Sequence, residues 1–240
     1  MSGLAQQPMN PKALYYAKLV AERKRCSACT DLVNISKFKA LDSDHIGAYS
    51  RWQGNLDSEL VVIGQDSADV NTFKTVGGGW PGEAIQTNLA VVELVKAAGI
   101  KIAAPRYGLA DNRLFFTNAV LCLKKGPMQQ PVPSPYFRNC ADRFLRRTIE
   151  LVQPRAVVTL GKDALKATLY AFGLRYPGNF LALVDTGCTF DLSCGARLFP
   201  MCHPTPTVLN THRSLEKQKA DWKRFGRWLK RHKALQLTAR

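Results

Sequence analysis

Four short apolar runs, each followed by a helical pattern, limit this chain's possible folds more than any other feature. They are Glu59–Gly64, Leu114–Leu121, Arg155–Gly161 and Ala196–Met201. The first reads Glu-Leu-Val-Val-Ile-Gly and has no polar residue between Leu60 and Ile63. A run of that kind, rich in β-branched residues, is how a strand buried on both faces looks in sequence. Helical spacing fills the intervals. Val91, Leu94, Val95 and Ala98 share a face within 88–98, and Phe137, Phe144, Leu145, Ile149 and Val152 within 136–152. A helix over 162–172 follows the third run, and Leu215, Trp222, Phe225 and Leu229 form a stripe within 213–231. A further helix is expected from Pro11 to Arg25, with proline in its first turn. Strands alternating with helices predict an α/β fold, a three-layer α/β/α sandwich around a central four-stranded parallel sheet. A chain of 240 residues suits one such domain, spanning 1–240 with a basic helix near each end.

In open parallel sheets ligands bind beyond the carboxyl ends of the strands. Three loops leave those ends here: Gln65-Asp66-Ser67, Asn118-Ala119-Val120 and His203-Pro204-Thr205. They are expected to meet in one crevice. Asp66 can orient a water, Asn118 offers a donor and an acceptor on one amide, and His203 can donate to a developing oxyanion. Each residue alone has a plainer role as a turn former, a cap or a solvated side chain. Their placement at three strand ends gives the functional reading its weight. The segment from Gln65 to Gln86, with Gly77-Gly78-Gly79, is long enough to suggest a functional loop.

Cysteine and charge narrow the function. Cys26 and Cys29 form a C-x2-C, and Cys122 and Cys140 a looser second pair. Four thiolates from two such pairs suit a tetrahedral zinc or a [4Fe–4S] cluster. No secretory signal or membrane-spanning run is visible, so a cytoplasmic protein is expected, where paired cysteines favour metal over disulfides. Cys188, Cys194 and Cys202 fall outside the proposed set and read as small buried hydrophobes or inert thiols. The formal net charge is +16. Such a field attracts polyanions, nucleic acid first among them. The excess gathers at Arg23-Lys24-Arg25 and after Arg213.

These features together resemble the uracil-DNA glycosylase superfamily, and most of all its iron–sulfur (family 4) branch. Thr117-Asn118-Ala-Val-Leu-Cys122 is similar to that branch's T-N-[IV]-V-[KR]-C. The stretch Cys140-x3-Phe-Leu, then Glu150-Leu-Val-Gln-Pro154 and Val-Val-Thr-Leu-Gly161, resembles its C-x3-L…I-x-L-[IV]-x-P…[IV]-[IV]-x-L-G. His203-Pro204-Thr205 resembles H-P-[ST], and the four cysteines match its ligand spacing. The likeness covers roughly residues 20 to 230. It departs at the first motif. Where the iron–sulfur branch has G-E-[AP]-P-G, this chain has Gly64-Gln65-Asp66-Ser67-Ala68-Asp69, which opens like the G-Q-D-P-Y-H of family 1.

The resemblance implies a DNA-repair hydrolase that cuts the N-glycosidic bond of uracil, or a related deaminated base, and leaves an abasic site. In that reading Asp66 and His203 are catalytic. Gln65 and Asn118 hold the base, and Phe73, or alternatively Trp80, stacks on it. Thr205, Val208, Leu209 and Arg213 would contact DNA, with Val208 or Leu209 as an apolar wedge in the minor groove. Cys26, Cys29, Cys122 and Cys140 would ligate a structural [4Fe–4S] cluster, with zinc as the alternative. The expected partner is DNA containing uracil or another damaged base, with no membrane involved, and the expected state is a monomer. The competing reading is a catalytically inactive or altered-substrate iron–sulfur nucleic-acid-binding protein of the same fold.

Overall fold

A computed structural model describes residues 10–48, 52–53, 55–75, 85–102 and 113–238, with side chains through His232. The chain begins with α1 (Pro11–Arg25), capped by the Asn10 side chain, which accepts from the Lys12 N–H at 2.9 Å. A two-residue strand, β1 (Leu32–Val33), follows. β2 (Leu60–Gly64) leads to α2 (Val70–Thr75) and α3 (Gln86–Ala97). β3 (Leu114–Asn118) leads to β4 (Leu123–Lys124), α4 (Ser134–Cys140) and, across a π-helical stretch at Ala141–Leu145, α5 (Arg146–Val152). β5 (Ala156–Leu160) precedes α6 (Lys162–Ala171), α7 (Phe180–Thr186) and β6 (Phe190–Asp191). β7 (Arg197–Met201) precedes α8 (Pro206–Thr211) and α9 (Leu215–Thr238).

Among the described residues the central sheet has five strands in the order β3-β2-β5-β7-β6. The first four are mutually parallel, as the sequence predicts, and β6 adds a short antiparallel edge beside β7. Every residue of β2, β3 and β5 is buried, which explains why they carry no charged residue and are mostly apolar. Alternate side chains serve opposite faces. Leu60, Val62, Leu114 and Phe116 pack with α3 and α9 residues such as Leu94 and Trp222. Val61, Ile63, Phe115 and Val157 pack with Ile149 and Leu165 on the other face. Burying each such side chain contributes roughly 1.5–3 kcal/mol, so the two apolar faces lock the three layers together. The α3–α9 side is tight. A Cβ on Gly226 of α9 would overlap the backbone of Ala98, and only glycine permits that approach.

Three segments differ from the sequence expectation. The stretch 124–135 begins in a strand. β4 pairs antiparallel with β1, Leu32 facing Lys124 and Val33 facing Leu123, and so ties the first cysteine segment to the residues after Cys122. The loop after β2 contains α2, capped by Asp69, whose carboxylate accepts from the Thr72 N–H at 2.9 Å and the Thr72 hydroxyl at 2.8 Å. The segment carrying the wedge candidates Val208 and Leu209 is α8, where Thr205 Oγ1 accepts from the Val208 N–H at 3.4 Å.

Candidate active site

The carboxyl ends of the parallel strands border a cleft of about 540 Å³. Gln65, Asp66, Asn118 and His203 all line it, as do Thr205 and Val208. The sheet register explains the first part of this convergence. Gly64, the last residue of β2, lies directly beside Asn118, the last residue of β3. A Cβ on Gly64 would clash with Asn118 Oδ1, so glycine at that position lets the amide lie across the end of the neighbouring strand. Asn118 is buried, and its Nδ2 donates to Ser67 Oγ at 3.1 Å.

Asp66 is held by three donor groups. The Ala68 N–H donates to Oδ1 at 3.0 Å and Gln65 Nε2 to Oδ2 at 3.2 Å. Lys124 Nζ stands 3.3 Å from Oδ1 and 3.4 Å from Oδ2. These contacts fix both carboxylate oxygens of a residue that lines the cleft. Ala68 holds φ of 74°, a left-handed conformation that is costly for a residue with a Cβ. The Asp66 carboxylate and the Lys124 N–H, which donates to the Ala68 carbonyl at 3.0 Å, keep it there.

His203 follows β7 and packs against Gly161, whose φ is 95°. Its Nδ1 is buried with no hydrogen-bond partner among the described residues. Burial pushes its pKa below the ordinary 6.5. The Asp66 carboxylate opposes that shift and the Lys124 ammonium adds to it. A neutral imidazole therefore faces the cleft at physiological pH and can donate to an oxygen that gains charge. The depressed pKa also sets a sign for stability. The unfolded chain takes up the proton more readily, so this contribution is present above about pH 6.5 and is lost as pH falls through the folded value. His45 is depressed by burial in the same direction. The melting temperature should fall between about pH 7.5 and 5.5, and His203→Gln should make that fall shallower. An unchanged slope would mean that His203 does not titrate in this way.

The structure corrects some of the expected contacts. Phe73 is not among the cleft walls. It is the buried residue of α2 and packs with Phe38, ring centroids 6.0 Å apart, beside Ile35 and Leu123. Trp80, the other stacking candidate, lies outside the described residues. Trp52 and Phe116 supply aromatic surface in the cleft instead, with ring centroids 5.6 Å apart. Phe116 was legible in sequence. It lies two residues before Asn118 on one strand and so shares its face. Arg213 is not free to meet a phosphate. Its guanidinium binds both Asp221 oxygens at 2.6 and 2.8 Å, and Asp185 as well, which fastens the start of α9. Leu209, on α8 and half-buried, is not among the cleft walls. Lys124 had no assigned role in sequence, yet its side chain is only 8% exposed, against 10% for the Asp66 partner.

The four cysteines occupy one neighbourhood. Asn139, next to Cys140, reaches across to the first loop, where its Nδ2 donates to the Ala28 carbonyl at 3.2 Å and approaches Cys29 Sγ at 3.6 Å. The Tyr136 hydroxyl donates to Asp31 at 2.8 Å, and β1–β4 pairing closes the other side. Burial pushes the Cys122 thiol up to about 12, with Cys140, Cys29 and Cys26 adding to the rise. Burial also lifts Cys140 to about 12, again with Cys29 and Cys26 contributing. Among the described residues no three His, Cys, Asp or Glu side chains are close enough to grip a single metal ion. A mononuclear zinc needs every sulfur about 2.3 Å from one centre. A cluster that supplies its own sulfides and binds each cysteine at a different iron tolerates wider spacing. Of the four, Cys140 is buried and Cys26, Cys29 and Cys122 are half-buried, and an all-thiolate donor set is chemically of the kind such a cluster takes.

The chain is similar to known proteins over most of its length. Residues 52–230 match the family model described as the uracil DNA glycosylase superfamily. A type-5 uracil-DNA glycosylase of Pyrobaculum aerophilum is 28% identical over 208 residues, covering 83% of this chain and 86% of that protein. A type-4 uracil-DNA glycosylase of Thermotoga maritima is 24% identical over 202 residues, covering 83% of this chain and 87% of that protein.

Proposed function

Because this chain belongs to the uracil-DNA glycosylase superfamily, we propose that it hydrolyses the N-glycosidic bond of uracil, or a related deaminated base, in DNA and leaves an abasic site. The observation that carries this reading is the meeting of Asp66, Asn118 and His203 in one cleft at the ends of β2, β3 and β7. The target nucleotide turns out of the helix into that cleft, at an unstacking cost of a few kcal/mol. Contacts between the basic surface and phosphates offset this, so affinity falls steeply with salt. As the bond breaks, positive charge grows on the sugar and negative charge on the base. Asp66 orients a water toward the sugar carbon and stabilises the first charge. His203 donates to the base oxygen and stabilises the second, in a cleft where apolar walls strengthen both interactions. Asn118 presents its amide to the edge of the base, and Trp52 and Phe116 give the ring an apolar wall. Thr205 and Val208, at the mouth, face the DNA.

Cys26, Cys29, Cys122 and Cys140 are the residues that would hold a [4Fe–4S] cluster, whose part is to cross-link the chain, since hydrolysis moves no electron. Their own contribution is to pin the first loop against β4 and α4. No helix among the described residues is long and apolar enough to cross a membrane.

The test is base release from oligonucleotides carrying one uracil, single-stranded or opposite guanine or adenine, read as alkali-labile cleavage. A hypoxanthine substrate runs beside them. Cleavage at uracil supports the reading. Cleavage at hypoxanthine alone would move the substrate to a deaminated purine. Salt-sensitive binding without release of either base would leave a non-catalytic DNA-binding protein.

A further inference from the structure

We propose that Lys124 is the positioning residue of this site, the group that fixes the Asp66 carboxylate and the strained loop beneath it. The inference rests on Asp66 being the water-orienting residue proposed above. Lys124 is 6% exposed and bonds the first-motif loop twice. Its ammonium contacts both Asp66 oxygens at 3.3 and 3.4 Å and also donates to the Met128 carbonyl. Its backbone N–H donates to the Ala68 carbonyl at 3.0 Å, and Lys124 and Asp69 form a parallel bridge. On its other side Lys124 pairs with Leu32 of β1. One residue thus fixes the carboxylate by charge and the Ala68 turn by backbone, and is itself fixed by a strand that starts one residue after Cys122.

A flexible loop could place Asp66 in several rotamers, and only one aims an oxygen at the sugar carbon. Two contacts from a buried ammonium select one of them. Lys124 borders the cleft, but its ammonium is already engaged by Asp66 and the Met128 carbonyl. Its influence on the reaction passes through Asp66.

The experiment compares Lys124→Met, Lys124→Arg, Asp66→Asn and the Asp66→Asn/Lys124→Met double variant on the uracil oligonucleotide. Iron content and melting temperature are measured for each. Lys124→Met should lower kcat by about 10- to 100-fold with KM changed by less than about threefold, because a positioning defect acts on the transition state. Lys124→Arg keeps the cation and should recover much of the loss. The double variant removes the buried pair whole and avoids the unpaired charge that threatens the fold of a single variant. It should turn over at the Asp66→Asn rate, since Lys124 then has nothing left to position. A further tenfold drop in the double variant would overturn the proposal by giving Lys124 an independent role. Lys124→Met turnover within about twofold of the parent would also overturn it. If Asp66→Asn itself keeps full turnover, it is the active-site reading that fails. If Asp66→Asn is inactive while Lys124→Met is not, only the positioning role fails.

Discussion

Asp66→Asn is expected to cut base release by about 10²–10⁴-fold and to leave DNA affinity close to that of the parent. Asparagine has nearly the same shape, so the Ala68 N–H still finds an oxygen. The amide carries no negative charge, however. It neither accepts strongly from an attacking water nor stabilises positive charge on the sugar. Affinity is set mainly by phosphate contacts on the basic surface, and the Asp66 side chain, at 10% exposure inside the cleft, takes no part in those. The substitution carries a stability cost as well. It leaves the Lys124 ammonium buried with only the amide oxygen and the Met128 carbonyl. Removing one partner of a buried pair costs about 3–5 kcal/mol, an upper range here because those two acceptors remain. Single-turnover base release with enzyme in excess, beside fluorescence anisotropy at fixed salt, separates the two effects. A variant losing affinity and turnover in equal measure would make Asp66 a structural residue.

The parts of this design that were legible in sequence, and those that were not, divide along a physical line. β2, β3 and β5 stood out because both faces of each are buried, so their residues are almost all apolar and none is charged. Asp66, Asn118 and His203 stood out because each follows such a run, and strand ends in a parallel sheet converge. β1, β4 and β6 have two residues each, too few for any periodicity, and exist only because tertiary pairing selects them. The π-helical stretch at Ala141–Leu145 was hidden because the apolar spacing on either side of it remains helical. Phe73 is an aromatic soon after Asp66 but not at the family's spacing, and the Asp69 cap starts a helix there whose one buried residue packs on Phe38. Arg213 looked like a free cation because its acidic partners, Asp185 and Asp221, are brought to it by folding. Lys124 is the same lesson with the opposite outcome. A lysine in a proline-rich connection reads as solvent-exposed, and only the return of β4 onto residues 68–69 buries it against Asp66.

On the proposed cluster reading, Cys122→Ser or Cys140→Ser is expected to abolish iron binding and to lower both melting temperature and turnover. Serine is a poor ligand at neutral pH, and a cluster held by three cysteines is exposed to loss. Burial and mutual repulsion push Cys122 and Cys140 up to about 12, so these thiols ionise together only when positive charge lies among them, and binding free energy becomes folding free energy. For a chain of this size each kcal/mol lost lowers the melting temperature by roughly 2–4 °C, which makes even a partial loss visible in a thermal scan. Turnover should fall for a reason that geometry supplies. The first cysteine loop leads into β1, β1 pairs with β4, and β4 carries Lys124 to Asp66. Slackening the cysteine neighbourhood is therefore expected to loosen the loop that carries Asp66, the proposed water-orienting residue. Cys188→Ser, outside that neighbourhood, is the matched control and should retain iron, melting temperature and turnover. Iron and sulfide analysis with visible absorption identifies the group. One zinc per colourless chain would replace the cluster with the ion. A Cys122→Ser protein with full iron and an unchanged melting temperature would remove Cys122 from the ligand set. Loss of iron with turnover intact would break the link from the cysteines through β4 to Asp66.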